Sequence, residues 1–414
     1  MRSAPVPEGT IAVGTGLLLS GVCAYAFIAA ANNALATDQA VALQQLWIGT
    51  FALAPGFFLP LEQEVGRALS HRRVLGQGGL PVVRRAAALG GGLVAILLVT
   101  LAVLGPTLVS KVFHHNGWLL VGLGLSVAAF GATHLGRGIL SGSSRFERYG
   151  MLLGLDATLR VTACLVLWLL GVKAVGVWGL MIGLPALIAL AIALRRPREL
   201  LQPGPAAPLS EVTSHLGWLL LGSVPSAFLV NAGPIAANLI GHAANKELIK
   251  AFTNGVLISR IPLFMFQAVQ AALLPKLAAL AAGGQFDEFR QGFRKLMVIV
   301  VGVGAIGTVA AWLLGPFVLE TFFADRLGRS HLALLALAAS AYMIATALAQ
   351  AIIALKGHAV VGVGWSAGFA AFLLALIPAY SLLLRIEVAL VAGAVVATLI
   401  FAASLRHRLA TVSA

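Results

Sequence analysis

Arg160 and Arg260 both lie inside long apolar stretches, where a guanidinium costs at least about 2.5–3.5 kcal/mol to insert into a bilayer. A charge at that depth needs a reason, and the planar fork of donors on arginine suits the oxygens of a phosphate or diphosphate. Pro262 follows Arg260 by two residues, and no acid stands at helical spacing within its own stretch. Two readings are open. Arg260 is a cation facing a solvated cavity and an anionic substrate, or a structural arginine satisfied by backbone carbonyls or by a carboxylate on another helix. Asp156 and Arg160 stand four residues apart with the acid first, the better order for an intrahelical pair. They neutralise one another, or Asp156 takes up protons during transport while Arg160 joins Arg260 in a basic cavity. Asn231 and Gln267, with Asn238, Gln270 and Gln350, can line a polar cavity or bond between helices. Glu62, Glu64 and Arg67 close the second apolar stretch. They mark an interfacial helix end, or an inner gate whose charges re-pair as two halves of the molecule rock.

These side chains need a lipid-embedded scaffold to position them. The chain has 414 residues, of which 60% are hydrophobic and 10% charged, with a mean hydropathy of +0.97. Soluble globular proteins run nearer 45–50% apolar and about 25% charged, so the excess faces lipid and the fold is an all-α polytopic membrane protein. This excludes a secreted enzyme, a nucleic-acid-binding domain and a disordered chain. Twelve runs are long enough to cross a ~30 Å hydrocarbon core: 11–31, 41–61, 86–109, 118–136, 150–171, 174–194, 214–241, 249–275, 296–318, 332–355, 362–384 and 387–405. The first is too long for a signal-peptide core and is expected to remain as a helix. Several runs contain proline (Pro55, Pro60, Pro185, Pro225, Pro234, Pro262), tolerated in a membrane only where neighbours satisfy the freed backbone.

The polar, proline-rich stretch 195–213 reads as a cytoplasmic linker. It divides the chain into an N-terminal six-helix bundle, 1–194, and a C-terminal one, 214–414. Faint likeness between Gly21–Phe27 and Gly222–Phe228, and between Ala54–Phe57 and Ile261–Phe264, suggests an internal repeat around a central cavity, as in many secondary transporters. With both termini inside, 19 basic residues fall in cytoplasmic segments and 7 in outer loops. The net charge of +14 is therefore mainly a topology signal, and no nucleic-acid partner is expected. Trp47, Trp118, Trp168, Trp178 and Trp312 then fall in outer halves, as an interfacial belt places them. The segment from Phe286 to Lys295 sets Phe286, Phe289 and Phe293 beside basic residues, the pattern of a helix lying on an anionic leaflet. Cys23 and Cys164 sit in apolar runs, and the histidines lack metal-ligand spacing. There is no Walker A sequence and no acyl-transfer motif. Neither a metal, a cofactor nor an enzymatic activity is expected.

Several stretches resemble polysaccharide-type (oligosaccharidyl-lipid) flippases of the multidrug/oligosaccharidyl-lipid/polysaccharide exporter superfamily. Phe57-Phe-Leu-Pro-Leu-Glu62-Gln-Glu64-Val-Gly-Arg67 is similar to the end of their second helix. Gly136 to Tyr149 is similar to the loop before the fifth, and Asp156-Ala-Thr-Leu-Arg160 to the acid and arginine that follow it. Asn231-Ala-Gly-Pro234 resembles the seventh helix, and Ser259-Arg260-Ile-Pro262-Leu-Phe264 through Leu274-Pro275 the eighth. Abundant Ala, Gly and Leu, with Arg well above Lys, suits an actinobacterial member. The resemblance implies two bundles working by alternating access in a bacterial inner membrane, with a polyprenyl-diphosphate-linked oligosaccharide as cargo. Arg260 then matches the cavity arginine that holds the diphosphate in lipid II flippases. The first helix departs from that branch by carrying no charge, and twelve spans lack its extra helix pair, which argues against a peptidoglycan precursor. Expected partners are the lipid-linked glycan, membrane lipids and envelope glycosyltransferases or polymerases. The alternatives are a cation-coupled multidrug exporter of the same superfamily, and a non-transporting scaffold for envelope synthesis.

Overall fold

The computed structural model describes residues 10–195, 201–213, 216–241, 245–263, 266, 280–281, 284–355, 357–378 and 380–411. All regular structure among them is helical: α1 (Thr10–Ala34), α2 (Thr37–Val74), α3 (Leu80–Lys111), α4 (Gly117–Gly142), α5 (Phe146–Leu169), α6 (Val175–Ala193), α7 (Ser210–Thr213), α8 (Leu216–Ile240), α9 (Lys246–Ser259), α10 (Phe286–Phe323), α11 (Arg329–Ala354), α12 (His358–Ala375) and α13 (Leu382–Thr411). Eleven spans long and apolar enough to cross a membrane lie among the described residues. The expected eighth span, 249–275, begins in α9, and its second half falls largely outside the described residues.

Contacts divide the chain into two compact units, Met1–Ser223 and Val224–Ala414. In the first, α1 packs on α5, α2 and α6 on α4, α3 on α4, and α5 on α6; in the second, α10 and α13 pack on α11, α9 on α11, and α12 on α13. Numbered within each half, the third element meets the fourth, the fourth the sixth and the fifth the sixth in both. That shared pairing supports the internal repeat. The third element of each half, α3 and α10, is also the one with least of its surface covered. The bare apolar faces of their middle turns suit contact with lipid.

Small residues let the backbones approach, as in other membrane bundles. A Cβ on Gly150 would stand 2.3 Å from the Ala12 carbonyl oxygen where α5 crosses α1. One on Gly138 would stand 2.8 Å from the Glu62 carbonyl oxygen where α4 crosses α2. Gly368 and Gly393 oppose each other between α12 and α13, each Cβ within 2.8 Å of the other's carbonyl oxygen.

Two expectations change. The segment from Phe286 is not a separate surface helix but the first turns of the 38-residue α10. Phe289 and Phe293 are buried and stack on each other at 6.3 Å, while Arg290 Nη2 donates to the Leu409 carbonyl. The spacing that marks a lipid-bound face equally marks one that packs on the protein. Of the five tryptophans assigned to an interfacial belt, Trp118, Trp168 and Trp312 are exposed, whereas Trp47 and Trp178 are buried within the N-terminal unit.

The described part of the expected linker, 201–213, is docked on the N-terminal unit. Arg72, 3% exposed, donates to both oxygens of Glu211 at 2.7 and 2.8 Å. It also donates to the carbonyls of Pro205, Ala206 and Gly78. Ala207 and Val212 enter a core with Leu61, Val65, Val82 and Ile139. A guanidinium with this many partners is a clasp, and its burial is matched by hydrogen bonds on every side.

Candidate functional site

Arg260 lies in the C-terminal unit at the C-terminal cap of α9. Its position follows from two prolines. Pro262 bears on Gly307 of α10, whose Cβ would meet the ring at 2.7 Å. Pro234, inside α8, has no N–H to offer the carbonyl four residues earlier, which belongs to Val230. Arg260 Nη2 donates to that carbonyl. Arg260 Nη1 donates to Asn231 Oδ1 at 3.1 Å, and Asn231 Nδ2 is tied back to the Ala227 carbonyl at 2.8 Å. The same device recurs in α2. Pro60 leaves the Gly56 carbonyl without its helical donor, and Ser223 Oγ supplies one at 2.6 Å.

The guanidinium also lines a small cleft of about 30 Å³ inside the C-terminal unit, walled mainly by apolar side chains such as Leu229, Val256, Leu335 and Leu390. Tyr342 of α11 completes the wall, its hydroxyl bonded to Ser226 Oγ at 2.7 Å and its ring packed on Trp365 at 4.9 Å. In this conformation the cleft has room for about one or two waters beside the cation. Arg260 is thus bonded to a backbone carbonyl, and its side chain also borders the cleft. Asn231 supports it. Gln267 lies outside the described residues.

Asp156 and Arg160 belong to the other unit. They pair on α5 at 2.5 Å, both more than nine-tenths buried. The rings of Trp47, Phe51 and Phe130 surround the guanidinium, with centroids 5.5–5.9 Å from Cζ. The aromatic faces compensate where hydrogen bonds stop, for Arg160 Nε is buried with no hydrogen-bond partner. An acid beside an aromatic box is the chemistry that recognises organic cations, and here the chain's own arginine fills it.

Glu62 faces one set of partners, and Glu64 and Arg67 face each other. Glu64 and Arg67 pair with each other at 2.8 Å, and Arg67 also donates to the Glu211 carbonyl. Glu62 turns inward, accepting from Tyr149 Oη and meeting His134 Nδ1, both at 2.7 Å. It thereby ties α2 to α4 and α5. His134 and Tyr149 carry no sequence signal for this role, since they stand 72 and 87 residues away. Two further buried networks escaped the sequence. Asp325 holds Lys250 and Asn254 in the C-terminal unit, and the fully buried Glu387 of α13 holds His331 of α11. Among the described residues no three His, Cys, Asp or Glu side chains gather as metal ligands do.

No family profile matches the chain. Two curated relatives from Mycobacterium tuberculosis, the uncharacterized proteins Rv3630 and Rv1510, are each 29% identical to it. They cover 94% and 98% of this chain and 90% and 93% of their own lengths. Among solved structures, a MATE transporter in its bent conformation superposes with a TM-score of 0.70 at 14% identity, covering 99% of this chain and 97% of that one. An inward-facing multidrug resistance MATE family transporter of the MOP superfamily gives 0.68 at 14% identity, with 100% and 97% covered. The Vibrio cholerae MATE transporter VcmN in its bent form gives 0.65 at 14% identity, with 98% and 99% covered. The class the fold defines is thus a polytopic membrane protein of two helical bundles. Within that class its structural neighbours are MATE transporters of the MOP superfamily.

Proposed function

We propose that the protein is an alternating-access flippase that moves a polyprenyl-diphosphate-linked oligosaccharide from the inner to the outer leaflet of a bacterial inner membrane. The carrying observation is Arg260, a guanidinium bordering an otherwise apolar cleft in a chain with a transporter fold. A diphosphate offers the paired oxygens that such a fork binds. Alternating access widens this small cleft around the cation for the headgroup, and the glycan stays outside it. The bias of basic residues supports cytoplasmic termini, and a cell-surface glycan precursor implies glycosyltransferases or polymerases as neighbours. The test is flipping of a fluorescent polyprenyl-diphosphate sugar in proteoliposomes. Arg260→Ala is expected to slow it by about tenfold or more, the loss of charged hydrogen bonds, with Arg260→Lys between. Undiminished flipping by Arg260→Ala removes the assignment.

A second reading, a cation-coupled multidrug exporter, is favoured by the fold shared with a multidrug resistance transporter and by the acid and aromatic rings around Arg160. It predicts that the chain lowers accumulation of an organic cation in cells, and that an uncoupler abolishes the effect.

A further inference from the structure

The carbonyl that holds Arg260 is left without its helical donor by a proline. In an uninterrupted α8, Val230 C=O would receive the N–H of residue 234; Pro234 has none, and Arg260 Nη2 takes the place. Arg260 Nη1 rests on Asn231 Oδ1, the next residue along the same helix. Both acceptors are neutral. A phosphate adds a full opposite charge and paired oxygens for a bidentate contact, so an anion entering the cleft can displace them. We infer that Pro234 and Asn231 are positioning residues that park the Arg260 guanidinium on α8, and that an anionic headgroup binds by drawing these two donors off the helix. This rests on the reading of the cleft as a diphosphate site, and it assigns Asn231 to the parked arginine rather than to the cargo.

Parking opposes binding, which gives the inference an unusual sign. Damage to a binding site weakens it, whereas removing a parking acceptor tightens it. Pro234→Ala restores the N–H at 234 and closes the Val230 carbonyl into the helix; Asn231→Leu removes the other acceptor without touching the backbone. Pro225→Ala relieves the other proline of α8 and controls for straightening the helix.

The experiment measures binding of farnesyl diphosphate, a soluble prenyl diphosphate, to the full chain in lipid nanodiscs by titration calorimetry. Each variant is first checked for native helicity and a monodisperse elution profile. Pro234→Ala and Asn231→Leu are each expected to lower Kd by about threefold to tenfold, the share of one such hydrogen bond. Pro225→Ala should leave it unchanged, and Arg260→Gln should abolish binding. If Arg260→Gln abolishes binding while Pro234→Ala and Asn231→Leu bind equally or more weakly than the native chain, parking is overturned and the diphosphate site stands. If Arg260→Gln binds like the native chain, or the native chain does not bind the probe, the diphosphate site fails and parking with it. Should Pro234→Ala not fold, Asn231→Leu decides alone.

Discussion

Asp156 and Arg160 show how a charge survives in this interior. The carboxylate takes one face of the guanidinium and three aromatic rings take the others. Removing one member strands the other, which generally costs about 3–5 kcal/mol, whereas replacing both by apolar groups of similar volume is often neutral. Asp156→Asn is therefore expected to lower the thermal midpoint markedly, while Asp156→Leu with Arg160→Met recovers most of it. A double variant as unstable as the single one would mean that the pair contributes more than mutual neutralisation. Glu62 is satisfied differently, by donors from two other helices. The residue pattern separates these cases unevenly. Asp156 and Arg160 could be paired from spacing alone, because four residues is one helical turn. The partners of Glu62 could not, because they depend on which faces of α2, α4 and α5 meet.

At the scale of elements, the apolar runs were legible and their ends were not. Eleven of the expected spans return as helices among the described residues. Yet α2 continues well past residue 61 to Val74, because its polar turns pack on the linker rather than entering water. Hydropathy reports lipid contact and says nothing of polar helix that leans on protein. The linker shows the same limit. Its prolines marked it as a linker, and the clasp at Arg72 holds residues 205–211 of it against the N-terminal unit. The bond from Leu80 N to the Gln202 carbonyl sits behind that clasp. Arg72→Ala should therefore expose the segment, raising its cleavage by a nonspecific protease about tenfold or more. Arg73→Ala, on an exposed neighbour, should leave it unchanged. Equal protection in both variants would show that Ala207 and Val212 suffice to dock the segment.

For the whole molecule, composition announced lipid, and the structure shows which apolar faces are left exposed to meet it. Val99 of α3 and Ile306 of α10 are 63% and 72% exposed near the middles of their helices. Val99→Arg and Ile306→Arg are each expected to impair membrane insertion by about 2.5–3.5 kcal/mol on insertion scales, read as the inserted fraction in a translocon assay. Normal insertion of either variant would indicate that the face is not in contact with lipid. The glycine seams carry a mechanical consequence. Where Gly150 meets Ala12, Gly138 meets Glu62 and Gly368 meets Gly393, backbone touches backbone with no side chain between. Such contacts have no rotamers to yield and no slack to absorb a shift. Sliding one helix along another would drive Cα atoms into carbonyls, so each seam behaves as a weld. Deformation within a bundle is easier at joints of another kind, such as the prolines inside α2 and α8, where the backbone has already given up a hydrogen bond.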